Sequence, residues 1–178
     1  HHVNVVRRNT GGGAVYHDLG NLNYSIISNI TEDQDLNYAN YARLVINALA
    51  SLGVTATLSG RNDILIEDKK ISGTAQQIYR HRILHHGTLL FNSDIGFVSG
   101  ALNVSADKFK SKSAKSVRAR VGNINDFLPQ KLTMEQFKNV LLKVISDSQN
   151  AAPYTLSSED LLNIEQLKRE KYDTWEWN

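Results

Sequence analysis

The 178 residues contain no cysteine, one methionine and two prolines. Without cysteine, these residues form neither a disulfide framework nor a thiolate metal site, and no cysteine thioester can carry an acyl group. The scarcity of proline excludes a proline-rich linker or a collagen-like chain. Because 41% of the residues are hydrophobic and 21% are charged, the composition is that of an ordinary globular domain.

Long hydrophobic runs and an excess of one charge are also missing. No apolar run approaches the ~18 residues of a membrane-spanning helix, and no basic-then-apolar signal segment is present. We therefore expect a cytoplasmic protein that does not bind membranes. Subtracting 18 acidic from 20 basic residues gives a net charge of +2, which offers no general argument for nucleic-acid binding.

The spacing of apolar residues predicts one α+β domain with a mainly antiparallel sheet and flanking helices. Alternating or continuous apolar runs predict strands at 3–6, 14–16, 22–26, 54–58, 64–66, 71–78 and 84–91. Helical spacing predicts a helix at 36–52 that ends at Gly53. Thr133 with Gln136 fits a capping box that opens a further helix, and Ser157 with Asp160 opens a last helix through about Lys171.

The sharpest local pattern lies at residues 7–18, which read RRNTGGGAVYHD. Three successive glycines let backbone N–H groups approach an anion, and the preceding arginines supply forked donors for phosphate or carboxylate. The pattern is neither a P-loop nor a dinucleotide fingerprint. A glycine triplet alone is more often a flexible turn, but the flanking Arg-Arg and His-Asp favour a ligand-binding loop.

Two further segments carry charged or metal-ligating side chains. Asn62 and Asp63 offer the oxygen atoms that Mg²⁺ accepts beside phosphates, although Arg-Asn-Asp before a strand is also typical of a turn. Lys70 follows a polar hairpin and precedes an apolar strand, so it points either into a cleft or into solvent. His85 and His86 face opposite sides of a predicted strand, which disfavours a shared metal site and favours a core or interface role.

The segment 108–120 contains six cations and no acidic residue. One interpretation is a solvated mobile loop. The functional alternative is a flap that closes over a polyphosphate or an adenylate, because mutually repelling cations become ordered when an anion arrives.

Together these motifs resemble the lipoate–protein ligase family. The resemblance extends from about Val5 to Asn178 and rests on the ordered runs RRNTGGGAVYHDLGN, GRNDI, KISGTA, HHGTLL, SVRARVGN and TWEWN. It implies the biotin/lipoate protein ligase fold, which is related to the class II aminoacyl-tRNA synthetase core. The implied enzyme forms lipoyl-AMP from lipoate and ATP with release of pyrophosphate. It then transfers the lipoyl group to a lysine of lipoyl-domain acceptor proteins, namely 2-oxoacid dehydrogenase acyltransferase subunits and the glycine cleavage H protein.

Carried over by matched positions, the resemblance gives the catalytic role to Lys70, which contacts both the lipoate carboxyl group and the α-phosphate. It implies ATP and adenylate contacts at Arg8, Gly12, Gly13, Ala14, Val15, Tyr16, Lys70, Lys115, Ser116 and Val117. It implies lipoate contacts at Lys70, Arg8, Gly12, His17, His86 and Gly87. The oxygen chemistry of Asn62 and Asp63 adds Mg²⁺ as a second cofactor beside ATP.

Family members usually carry a further segment before the double arginine and often a small domain after TWEWN. We therefore expect residues 1–178 to form a single catalytic domain that is incomplete at its N-terminus and lacks the accessory domain. Octanoyl- and lipoyl-transferases resemble the same scaffold but use a cysteine acyl-enzyme, which these residues cannot form. A biotin ligase is disfavoured because its Gly-Arg-Gly-x-x-Gly loop is not seen. A non-catalytic lipoate-binding protein of the same fold stays open.

Overall fold

The computed structural model describes residues 4–30, 37–60, 62–97 and 121–178. Within them one antiparallel sheet has the strand order β1-β5-β4-β3-β2, which confirms the predicted sheet type. Its strands are β1 (Asn21–Asn29), β2 (Ala56–Ser59), β3 (Asp63–Ile66), β4 (Lys69–Tyr79) and β5 (Arg82–Leu90).

The three longer helices begin after residues whose side chains cap them, Asn37, Thr133 and Ser157. The helices are α1 (Tyr38–Ser51), the short α2 (Ile124–Phe127), α3 (Met134–Gln149) and α4 (Ser158–Leu167), which continues into a π-helical turn, Lys168–Tyr172. The predicted capping box is present at the start of α3, and α4 is opened by Ser157 as predicted, with a capping box of its own. Gly53 has a φ of +80° just beyond α1, as its predicted role as the helix stop requires.

Two tight hairpins set the register of the sheet. Glu67 and Asp68 alone connect β3 to β4. Lys70, which the sequence pattern placed just before a strand, therefore already lies within β4. Arg80 and His81 connect β4 to β5. The resulting register places Gly87 between Tyr24 on β1 and Thr74 on β4.

Helices α1 and α3 cover one face of the sheet. The core joins apolar side chains of α1, such as Val45 and Leu49, to those of the central strands and of α3. The rings of Phe91 and Phe137 stack with their centroids 4.4 Å apart. We call the opposite side of the sheet the open face, because its β1 side chains are exposed and those of β5 are half-buried.

The strands predicted at 3–6 and 14–16 were wrong for the described residues. Residues 4–20 contain neither a helix nor a strand. The main-chain N–H and C=O of Arg7 are instead paired with side chains, as are the carbonyl groups of Gly11 and Gly13. In the described part of the chain, no helix is long and apolar enough to cross a membrane.

Candidate functional site

The glycine-rich loop is held from within by Arg8. Its Nη2 donates to the main-chain oxygens of Gly11 and Gly13, both at 2.9 Å, and its Nε donates to Oγ1 of Thr10 at 3.1 Å. The guanidinium therefore shapes the loop around itself, in addition to supplying positive charge. Gly12 has a φ of +118°, and a Cβ built there would lie 2.7 Å from Nη2 of Arg8. Only glycine fits this position without strain.

A hydrogen bond fixes this loop to the open face of the sheet. Oγ1 of Thr10 lies 2.6 Å from Nε2 of His86 on β5, and Thr10 is buried. Burial and then the neighbouring Arg8 guanidinium lower the pKa of His86. The shift favours the neutral imidazole, whose Nε2 can accept a hydrogen bond from the Thr10 hydroxyl group.

Lys70 and Asp63 form an ion pair next to this loop-bearing surface. Nζ of Lys70 lies 2.8 Å from Oδ1 of Asp63, and both side chains are partly exposed. Asp63 is the register partner of Gly73, and a Cβ built on Gly73 would lie 3.3 Å from Nζ of Lys70. Ala75 is the register partner of His86, and Gly73 faces the same side as Ala75 because the two are two residues apart in the strand. The Lys70 ammonium group beside Gly73 therefore lies on the open face. Lys70 is thus neither free in solvent nor buried in a cleft, but lies partly exposed on the open face, paired with Asp63.

Asn62 is held by β4 rather than left free in a turn. Its Nδ2 donates to the main-chain oxygen of Thr74 at 3.0 Å, and Oγ1 of Thr74 donates back to the Asn62 carbonyl at 3.0 Å. The predicted Mg²⁺ ligands are therefore fixed in place, but Asp63 is already engaged by Lys70. No group of three or more metal-capable His, Cys, Asp or Glu side chains occurs in the described ranges.

His17 and Asp18 organise the turn that leads from the loop into β1. Burial and the Arg8 charge lower the pKa of His17, and Asp18 opposes that shift. Nδ1 of His17 lies 2.5 Å from Nδ2 of Asn21. The Asp18 carboxylate accepts the N–H groups of Gly20 at 2.9 Å and of Asp94 at 2.8 Å, so it fixes the turn in two places.

The remaining predicted site residues fall into three groups. Ala14 and Val15 are exposed and Tyr16 is half-buried, in the stretch between the glycines and His17. Gly87 is buried beneath the open face, where a Cβ would lie 2.8 Å from both Cγ2 of Thr74 and Oη of Tyr24. Because Gly87 has no side chain, β1, β4 and β5 can pack closely at this position. Lys115, Ser116 and Val117, together with the predicted flap at 108–120, lie outside the described residues.

Sequence reasoning missed the residues that connect these segments. Thr10 and Thr74 each provide a polar contact between parts of the site that lie far apart in sequence. Both stand inside quoted motifs, as the threonines of RRNTGGG and KISGTA, so motif membership was the available signal. Their partners became visible only in the folded chain.

His85, as predicted, faces away from His86 and is a core residue. It is fully buried, stacks on Tyr41 at 4.7 Å and pairs its Nδ1 with Nε2 of Gln76 at 3.0 Å. Burial and then the His86 charge lower the pKa of His85 to about 4. Burial raises the pKa of nearby Tyr24 to about 12. These side chains support the site from beneath the sheet as neutral groups.

Two cationic side chains and a glycine loop lie on one face of the sheet of this α+β domain, an arrangement whose chemistry suits a small anion. Residues 1–146 match the family described as the lipoyl protein ligase A/B catalytic domain. The chain belongs to that family.

The chain is also similar to a curated relative and to three solved structures. It is 48% identical over 178 residues to lipoate–protein ligase 1 of Staphylococcus aureus, covering 100% of this chain and 54% of the relative. A Thermoplasma acidophilum structure of a bi-partite lipoate protein ligase and its E2 lipoyl domain matches at TM-score 0.81 and 34% identity, covering 97% of this chain and 69% of that one. A lipoate-protein ligase A bound with ATP matches at TM-score 0.78 and 30% identity, covering 97% and 70%. Biotin protein ligase of Aquifex aeolicus, at TM-score 0.51 and 15% identity over 85% and 59%, shares the fold alone.

The chain thus spans about half the length of the curated relative that it matches.

Proposed function

We propose that the protein containing this domain is an ATP-dependent lipoate–protein ligase. The observation that carries the proposal is the common placement of Lys70 and the Arg8-held loop on the open face, within a chain of this family. Structures matched by the chain include a lipoate-protein ligase A bound with ATP and a lipoate ligase with bound lipoic acid.

The first half-reaction needs electrostatics rather than a side-chain nucleophile. A lipoate carboxylate oxygen attacks the α-phosphorus of ATP, the bond to the bridging oxygen breaks, and pyrophosphate leaves with the electron pair. Two anions must approach in line, so cations that neutralise the growing charge lower the barrier. A compact ammonium such as that of Lys70 suits contact with both carboxylate and phosphate oxygens, and the planar fork of Arg8 suits a phosphate.

Asp63 holds Lys70 ready for that role. In the described structure the ammonium is paired with a carboxylate rather than an incoming anion. A substrate carboxylate or phosphate offers the same charge and competes for the same donor. We expect Lys70 to exchange Asp63 for the substrate oxygens, which keeps the ammonium ordered before binding without burying an unpaired charge.

The oxygen donors of Asn62 and Asp63 also fit Mg²⁺. A carboxylate and an amide oxygen beside phosphate oxygens are the hard ligands that Mg²⁺ prefers. When bound, the ion supplies charge neutralisation of the triphosphate. We therefore keep Asn62 and Asp63 as proposed Mg²⁺ ligands, with Asp63 becoming available to the ion when Lys70 turns to the substrate oxygens.

In the second half-reaction a lysine amine of an acceptor protein attacks the carbonyl carbon of lipoyl-AMP. The amide bond forms, AMP leaves as a stabilised anion and the amine loses a proton. We propose lipoyl domains as acceptors, supported by the Thermoplasma acidophilum structure that pairs a ligase with its E2 lipoyl domain.

The test is pyrophosphate release by the complete protein with ATP and lipoate, followed by transfer to a purified lipoyl domain. We expect release that depends on both substrates and a mass gain of one lipoyl group on the domain. Lipoate binding without pyrophosphate release would support the non-catalytic alternative and contradict the proposal. Acyl transfer from an octanoyl donor without ATP would instead indicate a transferase.

A further inference from the structure

The run TWEWN at 174–178 belongs to the family resemblance but has no role in the site described above. In the structure it forms a compact turn after α4. Nδ2 of Asn178 donates to the main-chain oxygens of Tyr172 at 2.7 Å and Thr174 at 3.2 Å, and the rings of Tyr172 and Trp177 meet edge to face at 5.1 Å. Lys171 caps the Trp177 ring with its Nζ 4.6 Å from the centroid. These contacts fix the orientations of the Trp177 and Asn178 side chains.

Both side chains are directed at the main chain of Arg7. The indole Nε1 of Trp177 donates to the Arg7 carbonyl oxygen at 2.9 Å, and the Arg7 N–H donates to Oδ1 of Asn178 at 3.0 Å. Two side chains 170 and 171 positions away thereby pair both backbone polar groups of one residue. A neighbouring β-strand would ordinarily provide such a pair of bonds. We call this arrangement the Arg7 clasp.

The clasp acts one residue before the arginine that shapes the glycine loop. Because the peptide between Arg7 and Arg8 is planar, fixing the Arg7 carbonyl also fixes the direction in which Arg8 leaves it. Arg8 then contacts Thr10, Gly11 and Gly13, and Thr10 contacts His86. Hydrogen bonds, joined by the Arg7–Arg8 peptide bond, therefore connect the 174–178 turn to His86 on the open face.

Burial does not account for the clasp. Helix α4 and the π-helical turn bury none of their residues, and the hydrogen bonds to Arg7 are exposed. Exposed hydrogen bonds contribute little to the free energy of folding, because water replaces them. The effect of the clasp is consequently expected in local geometry at residues 7 and 8 rather than in global stability.

We propose that Trp177 and Asn178 are positioning residues for ATP, acting through Arg7 to place Arg8 and the glycine loop. This inference rests on the proposed function, in which Arg8 contacts ATP. Trp177 and Asn178 themselves are given no contact with the nucleotide.

The test is a double-mutant cycle read by calorimetric ATP binding to the complete protein, without lipoate, so that no reaction occurs. Trp177→Phe removes the indole donor and keeps an aromatic ring, and Asn178→Ala removes the acceptor. We expect each to weaken ATP binding about fivefold to tenfold, because residues in one hydrogen-bonded network are energetically coupled to the group that contacts the ligand. Their matched controls are Trp175→Phe, where the side chain is 89% exposed, and Asn29→Ala at the exposed far end of β1. We expect both controls within about twofold of the parent.

The cycle with Arg8→Ala decides whether the effect passes through Arg8. In that background we expect Trp177→Phe and Asn178→Ala to change ATP affinity less than about twofold, because coupled residues give non-additive effects. Equal fold losses in both backgrounds would overturn the proposal, as would unchanged ATP affinity in both single variants. Unchanged affinity in Arg8→Ala alone would instead overturn the assignment of Arg8 to ATP in the proposed function.

A spectroscopic readout separates positioning from simple loss of structure. With ¹⁵N-labelled tryptophan, the indole N–H signal missing in Trp177→Phe belongs to Trp177. We expect ATP to shift that signal in the parent protein and not in Arg8→Ala, and to leave the Trp175 signal in place. A Trp177 signal that does not respond to saturating ATP would contradict the coupling between the clasp and the loop.

Discussion

Nζ of Lys70 lies 2.8 Å from Oδ1 of Asp63. Lys70, the proposed cation between the two substrates, is thus paired with Asp63, a proposed Mg²⁺ ligand. Because one carboxylate cannot fully satisfy both partners, ligand arrival at this site must rearrange the ion pair. The two residues are therefore expected to respond differently to substitution.

Replacement of Lys70 by alanine should abolish adenylate formation and leave the fold intact. The side chain is partly exposed, so its removal costs little stability, but it removes the cation expected between carboxylate and phosphate. Loss of one such electrostatic contact lowers the rate roughly 100- to 1000-fold. Pyrophosphate release measures the loss, with Lys69→Ala as the adjacent control. Turnover of Lys70→Ala within about threefold of the parent would contradict the assignment.

Asp63→Asn should separate metal binding from the ion pair. The amide keeps the shape but loses the charge that attracts Mg²⁺ and Lys70. We expect the Mg²⁺ concentration for half-maximal pyrophosphate release to rise while binding of preformed lipoyl-AMP changes little. An unchanged Mg²⁺ titration would assign Asp63 to the ion pair alone.

Thr10→Val should weaken ATP binding, because it removes the hydroxyl that contacts both Arg8 and His86. Thr10→Ser retains the hydroxyl and is the matched control. We expect a loss of about fivefold to tenfold in the valine variant, as for one hydrogen bond, and less than about twofold in the serine variant. Calorimetric titration with ATP measures both. Equal affinities of the two variants would show that the Thr10 hydroxyl does not order the loop for the nucleotide.

Gly87→Ala should destabilise the fold, since its Cβ would meet Thr74 and Oη of Tyr24 at 2.8 Å. Overpacking of this kind costs about 1–3 kcal/mol. Gly11→Ala is the matched control, because nothing lies within 4 Å of a Cβ built there. Urea unfolding measures both free energies, and a Gly87→Ala variant as stable as Gly11→Ala would show that the strands separate at little cost.

His85 should make the free energy of unfolding depend on pH in the acidic range. Its pKa is about 4 in the folded chain and 6.5 when unfolded, so the unfolded state binds the extra proton between those values. The free energy of unfolding then falls as the pH drops from 6.5 to 4, by about 3 kcal/mol at about 1.4 kcal/mol per pKa unit.

His85→Phe removes that proton site and keeps a ring beside Tyr41. Urea unfolding at several pH values should give a shallower acid loss than in the parent, while His17 and His86 contribute equally to both proteins. If the free energy of unfolding changed with pH equally in the two proteins, His85 would be protonated in the folded state as readily as in the unfolded state.

The sequence by itself determined the elements whose cause is local. Helical spacing, the Thr133 capping box, the helix start at Ser157 and the stop at Gly53 depend on residues within a few positions of one another, and the structure confirms them. Strand alternation likewise placed His85 and His86 on opposite faces, and the motifs RRNTGGG and KISGTA marked the segments that meet at the site.

Only the tertiary structure decided which distant groups meet. Residues 3–6 form a strand-like apolar run, yet the main chain of the next residue, Arg7, is paired by Trp177 and Asn178, and Arg8 is turned into its own loop. The Lys70–Asp63 pair likewise depends on the register of a hairpin that composition does not specify. A hydrogen bond or ion pair requires atoms within about 3 Å, and for residues far apart in sequence that distance is set by the packing of the whole chain.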